Sequence, residues 1–204
     1  LSFDIECQGR KGHFPEAHID PVIQIANTIT LQGSDVPIIR TVFTLDTCLP
    51  IVGAQVLSYT TEAEMLMAWK SFVLATDPDI LTGYNIGNFD IPYLLNRAKS
   101  LEKQHSILKT FADLGRLKGI KAIMKDTTFQ SSAFGKRENI ETTIHGRVIF
   151  DLLPYMYRNH KLSSYSLNSV SAEFLGQQKE DVHYSIISDL QLYIVLKMHI
   201  YPNN

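Results

Sequence analysis

Three β-rich runs follow one another before any helical spacing begins, and this order constrains the fold more than any other feature. The first run is Leu1 to Glu6. Strand alternation puts Leu1, Phe3 and Ile5 on one face and Ser2, Asp4 and Glu6 on the other. The second spans Pro21 to Leu31 and ends at a turn, Gly33-Ser34-Asp35. The third spans Ile38 to Leu45. Connected this way, the three read as an antiparallel meander. The stretch from Cys48 to Tyr59, with Pro50 and Gly53, is expected to be irregular.

The period then changes. Thr60 or Thr61 can cap a helix with acids in its first turn, and Met65, Met67, Trp69, Phe72 and Val73 recur at helical spacing through about Ala75. That stripe is a core-packing pattern. Asp77-Pro78-Asp79 breaks the helix, and Ile80 to Tyr84 reads as a buried strand. A second helix is expected from an Asn88 cap, with Pro92 tolerated in its first turn, to about Ser100. Leu101 to Lys125 reads as basic and semi-helical. Thr127 to Thr143 reads as a hairpin or insertion, Gly146 to Asp151 as a buried strand, and Leu152 to His160 as a helix. A last helix begins within Ser163 to Val170 and ends near Gly176. This order predicts an α/β fold of ribonuclease H-like architecture, a mixed sheet flanked by helices with Asp4 and Glu6 on a central strand.

The chain has 204 residues, enough for one domain with a sizeable core. No apolar run approaches a membrane span. The two cysteines, Cys7 and Cys48, form neither a CxxC pair nor a disulfide framework, which favours a reducing compartment. The chain opens inside an apolar strand without an initiator Met, as a fragment of a longer protein would. Net charge is −2, but ten of the nineteen Lys and Arg residues lie between Arg97 and Arg137. This basic stretch is either a solvated surface or one that tracks phosphates.

Asp4 and Glu6 lie side by side on one strand face, where each disfavours ionisation of the other and a cation would relieve the repulsion. Taken alone, the pair is as consistent with a solvated polar face. Asp90 changes its weight. That residue follows a Gly-Tyr-Asn turn where a strand hands over to a helix, a position at which α/β sheets place functional groups. Three acids from two elements can bridge two divalent ions, which clamp a phosphodiester and activate water. Asn85 would shape such a site by hydrogen bonding and Phe89 by packing against a base or sugar.

The stretches Phe3-Asp4-Ile5-Glu6-Cys7 and Gly83-Tyr84-Asn85-Ile86-Gly87-Asn88-Phe89-Asp90-Ile91-Pro92-Tyr93-Leu94 resemble the first two exonuclease motifs of family B DNA polymerases. Tyr165-Ser166-Leu167-Asn168 and Phe174-Leu175-Gly176 resemble the same family, and the likeness covers Leu1 to about Gln191. It implies a 3′→5′ proofreading exonuclease domain over residues 1–191 of a nuclear replicative polymerase, hydrolysing a mispaired primer 3′ end delivered as single-stranded DNA. By the same resemblance Asp4, Glu6 and Asp90 are metal ligands for two Mg2+ ions, with Mn2+ as a substitute. Asp4 would bridge both ions, Glu6 would hold the one nearer the attacking water, and Asp90 the other. Phe3, Ile5, Asn85, Phe89, Tyr165 and Ser166 are the DNA-contacting candidates. The rest of the polymerase chain and accessory subunits would be partners. Asp151, at a strand end, reads as structural, because the family places its fourth acid later.

The third family motif, Tyr-x-x-x-Asp before Ala and Leu-Pro, does not occur after Gln191. Dropping two nucleotides of the Leu192 codon lets permitted codons spell Val-Tyr-Cys-Leu-Lys-Asp-Ala-Tyr-Leu-Pro, with the Ala forced by the Met198 and His199 codons. Residues 192–204 therefore read as a frame-shifted tail, and the exonuclease as impaired. The polymerase palm motifs are absent as well. Two rival readings are an inert single-stranded nucleic-acid-binding fragment and a stand-alone exoribonuclease of the same fold.

Overall fold

A computed structural model describes residues 1–131, 135–177, 187, 189 and 190. Its main sheet has six strands, which run from edge to edge as Gln55–Tyr59, Ile39–Leu45, Val22–Ile29, Ser2–Cys7, Ile80–Gly83 and Val148–Asp151. The first three in chain order, β1 (Ser2–Cys7), β2 (Val22–Ile29) and β3 (Ile39–Leu45), form the expected antiparallel meander. Leu1, Phe3 and Ile5 are buried while Ser2 and Asp4 are exposed, as the alternation requires. The observed architecture is a mixed α/β sheet flanked by helices, ribonuclease H-like in its arrangement.

One strand escaped the sequence reading. β4 (Gln55–Tyr59) pairs in parallel with β3 inside the segment expected to be irregular. It is a five-residue edge strand with no fully buried position, too short and too evenly exposed to show a period of two.

α1 (Glu62–Thr76) is capped by Thr61, whose hydroxyl accepts from the Glu64 amide at 3.3 Å. It ends at Asp77, which takes a left-handed conformation with φ of 42°. Its inner face carries Met65, Leu66, Trp69 and Val73, all at most 1% exposed. The Trp69 ring lies 5.3 Å from that of Phe3 and donates its indole N–H to Asn27 Oδ1 at 2.9 Å. A buried donor is thus satisfied where the helix meets the sheet.

β5 (Ile80–Gly83) runs parallel to β1 on one side and to β8 (Val148–Asp151) on the other. β8 was expected to be buried, but it is an edge strand: Val148 is 58% and Phe150 42% exposed. Between these strands lie α2 (Asp90–Leu101), a 3-10 turn over Ser106–Thr110, and a hairpin of β6 (Ile123–Ser131) and β7 (Gly135–Thr143). The hairpin fulfils one of the two expectations for its segment. The semi-helical expectation for Leu101 to Lys125 fails, because α2 stops at Leu101 and only the short 3-10 turn follows. α3 (Leu152–Asn159) and α4 (Leu167–Leu175) close the described fold, with Gly176 ending α4 at a φ of 63°.

The basic stretch is not one uniform surface. Arg97 is buried, and its guanidinium grips Glu62 with Nε at 2.9 Å from Oε1 and Nη2 at 2.7 Å from Oε2. Glu62 Oε1 also accepts from the Val22 amide at 2.7 Å, so this pair ties α1 and α2 to β2. Arg116 is held by Asp77 and Asp79. Lys99, Lys103, Lys109, Lys118, Lys121 and Lys125 remain exposed. No helix among the described residues is long and apolar enough to cross a membrane.

Candidate active site

Asp4 stands midway along an interior strand, on the sheet face opposite the Phe3 and Ile5 side chains. Pairing with β2 shifts register between Glu6 and Cys7, where Ile23 of β2 is the unpaired extra residue, so the ladder is interrupted just past the two acids. Asp90 arrives from the other side. β5 ends at Gly83, where a Cβ would meet the Ile86 side chain at 2.4 Å and the Phe3 carbonyl oxygen at 2.8 Å, so only glycine lets the chain turn here. Asn85 then adopts a left-handed φ of 64°, and α2 begins at Asp90.

Asn88 was expected to cap α2 and does not. The cap position falls to Phe89, without a side-chain hydrogen bond. Asn88 instead faces sideways: its Oδ1 accepts from the Ile140 amide of β7 at 2.9 Å, and its Nδ2 donates to Asn85 Oδ1 at 3.4 Å. Its side chain is held by these two partners and is not available to cap the helix.

Asp90 is 2% exposed, and its Oδ1 accepts from the Ile5 amide at 3.0 Å. This bond joins the second acidic element to the first across 85 residues of sequence. Burial pushes the Asp90 carboxyl well above the usual carboxylate range. The neighbouring Asp4 charge pushes it further, and the Ile5 amide only partly offsets them. Asp4 is the charged neighbour of Asp90 across this junction.

The cleft beside them has a volume of about 210 Å³ and is lined by Asp4, Ile5, Glu6, Cys7, Phe14, Pro15, Phe89 and Ile187. Phe14 is 65% exposed and meets the Phe89 ring edge-on at 5.4 Å. Phe89 also packs 5.4 Å from Tyr93. Burial drives the Cys7 thiol upward, against a hydrogen bond from Tyr93 that lowers it, so the thiol stays protonated and unreactive.

Of the candidates named from the sequence, the fold brings Asp4, Glu6, Asp90, Asn85 and Phe89 to one end of β1 and β5. Phe3 and Ile5 turn their side chains into the core, 3% and 4% exposed, and Ile5 serves the site through its amide. Tyr165 and Ser166 stand elsewhere, just before α4. The Tyr165 hydroxyl donates to the His160 carbonyl oxygen at 2.8 Å, its carbonyl oxygen accepts from the Tyr84 hydroxyl, and Ser166 caps α4. The sequence reading passed over Phe14 as a site residue. Its signal in the sequence was an aromatic in a polar loop with Gly9, Gly12 and Pro15, in a Phe14-Pro15-Glu16 stretch that carries the family resemblance.

Asp4 and Asp90 suit a hard cation, since both offer carboxylate oxygens and their mutual repulsion is unrelieved by any Lys, Arg or His ion pair among the described residues. Glu6 lines the same cleft, yet no group of three metal-ligating side chains forms among the described residues. The donor set fits a cation and is incomplete for two. Residues 192–204, where the third motif would lie, are outside the described residues.

The profile of the DNA polymerase family B exonuclease domain matches residues 1–170. The chain belongs to that family. The mixed six-stranded sheet flanked by helices is consistent with the exonuclease fold of that family. Among curated proteins, the chain is 59% identical over 191 residues to the DNA polymerase delta catalytic subunit of Glycine max. It is 58% identical to that of Drosophila melanogaster and 51% identical to that of Mesocricetus auratus. Each match covers 94% of this chain and 17% of the relative, so the chain spans about a sixth of the length of those subunits. Exonuclease domains of family B are metal-dependent.

Proposed function

We propose that this chain is the 3′→5′ exonuclease module of a nuclear, delta-type replicative DNA polymerase, with residues 1–191 forming the domain and 192–204 a divergent tail. The observation that carries the reading is the junction of Asp90 with β1. It brings a buried carboxyl from the second acidic stretch to β1, beside a cleft that Asp4 and Glu6 line and that has an exposed aromatic rim. The substrate class is a primer 3′ end presented as single-stranded DNA. Phe14 and Phe89 offer ring faces and edges on which a terminal base can stack, at a scale of ~1–3 kcal/mol per base.

Asp4 and Asp90 would hold Mg2+, with Mn2+ as a substitute, and Glu6 would hold a second ion. A bound divalent cation supplies Lewis-acid polarisation of the phosphodiester and a more acidic water. The chain's own contribution is positional. The Ile5 amide fixes Asp90 against β1, and Asp4 and Glu6 line the cleft beside it under a rim of Phe14 and Phe89. In this reading the missing third motif leaves the water unaligned and hydrolysis impaired.

The test uses the purified chain and a 5′-labelled single strand with Mg2+. Inserting Tyr-Cys-Leu-Lys-Asp-Ala in frame after Gln191 should raise 3′→5′ shortening by ~10²-fold or more, and Asp4→Ala should then abolish it. A restored chain that stays inactive would remove the exonuclease reading. Robust activity of the original chain, sensitive to Asp4→Ala, would remove the claim of impairment.

A second reading is favoured by the six exposed lysines and the absence of a three-donor cluster among the described residues. In it the chain is an inert single-strand-binding fragment. Binding that survives EDTA and falls steeply with salt would favour it.

A further inference from the structure

Asp151 holds three backbone amides with two oxygens. Oδ1 accepts from the Asn85 amide at 2.8 Å and the Leu153 amide at 3.0 Å, and Oδ2 accepts from the Gly87 amide at 2.9 Å. The pairing of β5 with β8 sets Asp151 opposite Gly83, so its carboxylate lies at the mouth of the turn that leads into α2.

Two features of that turn fit such a clamp. Asn85 takes a left-handed φ of 64°, which asparagine tolerates better than most residues, and its amide points at the Asp151 carboxylate. Gly87 leaves room for the carboxylate, because a Cβ there would stand 3.2 Å from Asp151 Oδ2. The clamped residues then carry the start of α2. The Phe89 amide donates to the Asn85 carbonyl oxygen, and the Ile91 amide to that of Ile86, both at 3.0 Å. Asp90 sits between these two bonds.

We propose that Asp151 is a positioning residue for the carboxylate pair: it clamps the Asn85–Phe89 turn and so sets where Asp90 stands against Asp4. The inference rests on reading Asp4 and Asp90 as a cation site. Asp151 has a second task, since it also caps α3 through the Leu153 amide. The two tasks separate chemically. Serine caps a helix about as well as aspartate does, but its side chain is too short to span to Asn85 and Gly87. Asparagine keeps one acceptor oxygen and turns an NH2 group toward one of the amides.

The experiment compares the full chain with Asp151→Ser, Asp151→Asn, Asp4→Ala and Thr61→Ala. The last removes the cap of α1, away from the turn. Mn2+ is titrated while paramagnetic broadening of the Ile5 and Asp90 amide resonances is followed, and hydrogen exchange is read at Asn85, Gly87, Ile91 and Leu153. Asp151→Ser should weaken Mn2+ binding by about tenfold or more, as loss of an outer partner does at other metal sites. It should speed exchange at Asn85, Gly87 and Ile91 while Leu153 stays protected. Asp151→Asn should fall between, and Thr61→Ala should bind Mn2+ as the unaltered chain does. Unchanged Mn2+ affinity in Asp151→Ser, or continued protection at Asn85 and Gly87, would overturn the proposal. An equal loss in Thr61→Ala would do the same. If the unaltered chain and Asp4→Ala bind Mn2+ alike, the cation-site reading fails and takes the positioning role with it. The exchange data then show separately whether the clamp exists.

Discussion

β5 is four residues long, with carboxylates at both ends that are treated oppositely. Before the strand, Asp77 and Asp79 meet arginines. Arg116 reaches Asp77 at 2.9 Å and Asp79 at 2.7 Å, and Arg147 reaches Asp77 at 2.8 Å. The Arg116 hydrogen bond holds the Asp77 carboxyl below the usual range, against a small opposing effect of burial. After the strand, Asp90 meets another acid, and its carboxyl is pushed up. Arginines hold the acids at one end, while among the described residues no Lys, Arg or His ion pair reaches Asp4 or Asp90 at the other, which distinguishes a fastening from a place where an external cation is wanted. Acids alone do not mark a site; acids left unneutralised in a cleft do.

The largest test of this contrast lies at the neutralised end. The Arg147 side chain is 1% exposed and also donates to the Pro78 carbonyl oxygen at 2.6 Å and that of Leu114 at 2.9 Å. Arg147→Met leaves two inward carbonyls without their donor and should cost about 3–5 kcal/mol in urea unfolding. A loss under about 1 kcal/mol would mean that water replaces the guanidinium and that this end is no fastening.

How much of this was legible in the sequence differs between the two ends. The Asp4 face was readable because period-two alternation survives in Leu1 to Glu6, and Asp90 because a Gly-Tyr-Asn turn precedes it. The meander and the Thr61 cap were readable for the same local reason. The arginine fastening was not, since Arg147 meets Asp77 across 70 residues and nothing local announces it. Arg97 was placed on a basic surface because its neighbours in sequence are lysines, yet it faces inward to Glu62 from α1. β4 and the edge character of β8 depended on strand order, which periodicity does not encode. The Asn88 cap failed because the left-handed turn at Asn85 fixes the entry angle first.

At the unneutralised end the expected change has the opposite sign. The Asp90 carboxyl has its pKa raised in the folded state, so its contribution is fully present below the unfolded carboxylate range. It is lost as pH rises through the raised value. In EDTA, stability should therefore fall from mildly acidic toward neutral pH. Asp90→Asn should remove that fall and raise neutral-pH stability by about 1–3 kcal/mol, because the amide keeps an acceptor for Ile5 and carries no charge. Mg2+ should stabilise the unaltered chain and not the variant. Thermal scans across pH with and without Mg2+ decide it. A destabilised Asp90→Asn at neutral pH would make Asp90 a fastening like Asp77.

The smallest effect belongs to Asp79, and it bears on how much of the arginine end is structural. Its side chain is 84% exposed, although it sits 2.7 Å from Arg116. Arg116 has other partners: Asp77 Oδ1, the Asp77 carbonyl oxygen at 2.9 Å and that of Gly146 at 3.1 Å. Gly146 is bound into this arrangement, since a Cβ there would meet the Arg116 side chain at 2.7 Å. Removing one exposed charge leaves the guanidinium where it is, and water screens what is lost. Asp79→Asn should shift Tm by no more than about 1–2 °C at low salt, and the difference should vanish near 1 M salt. A larger, salt-resistant shift would show that the exposed partner shares the work of Arg147. The boundary between fastening and surface would then lie one residue nearer to β5.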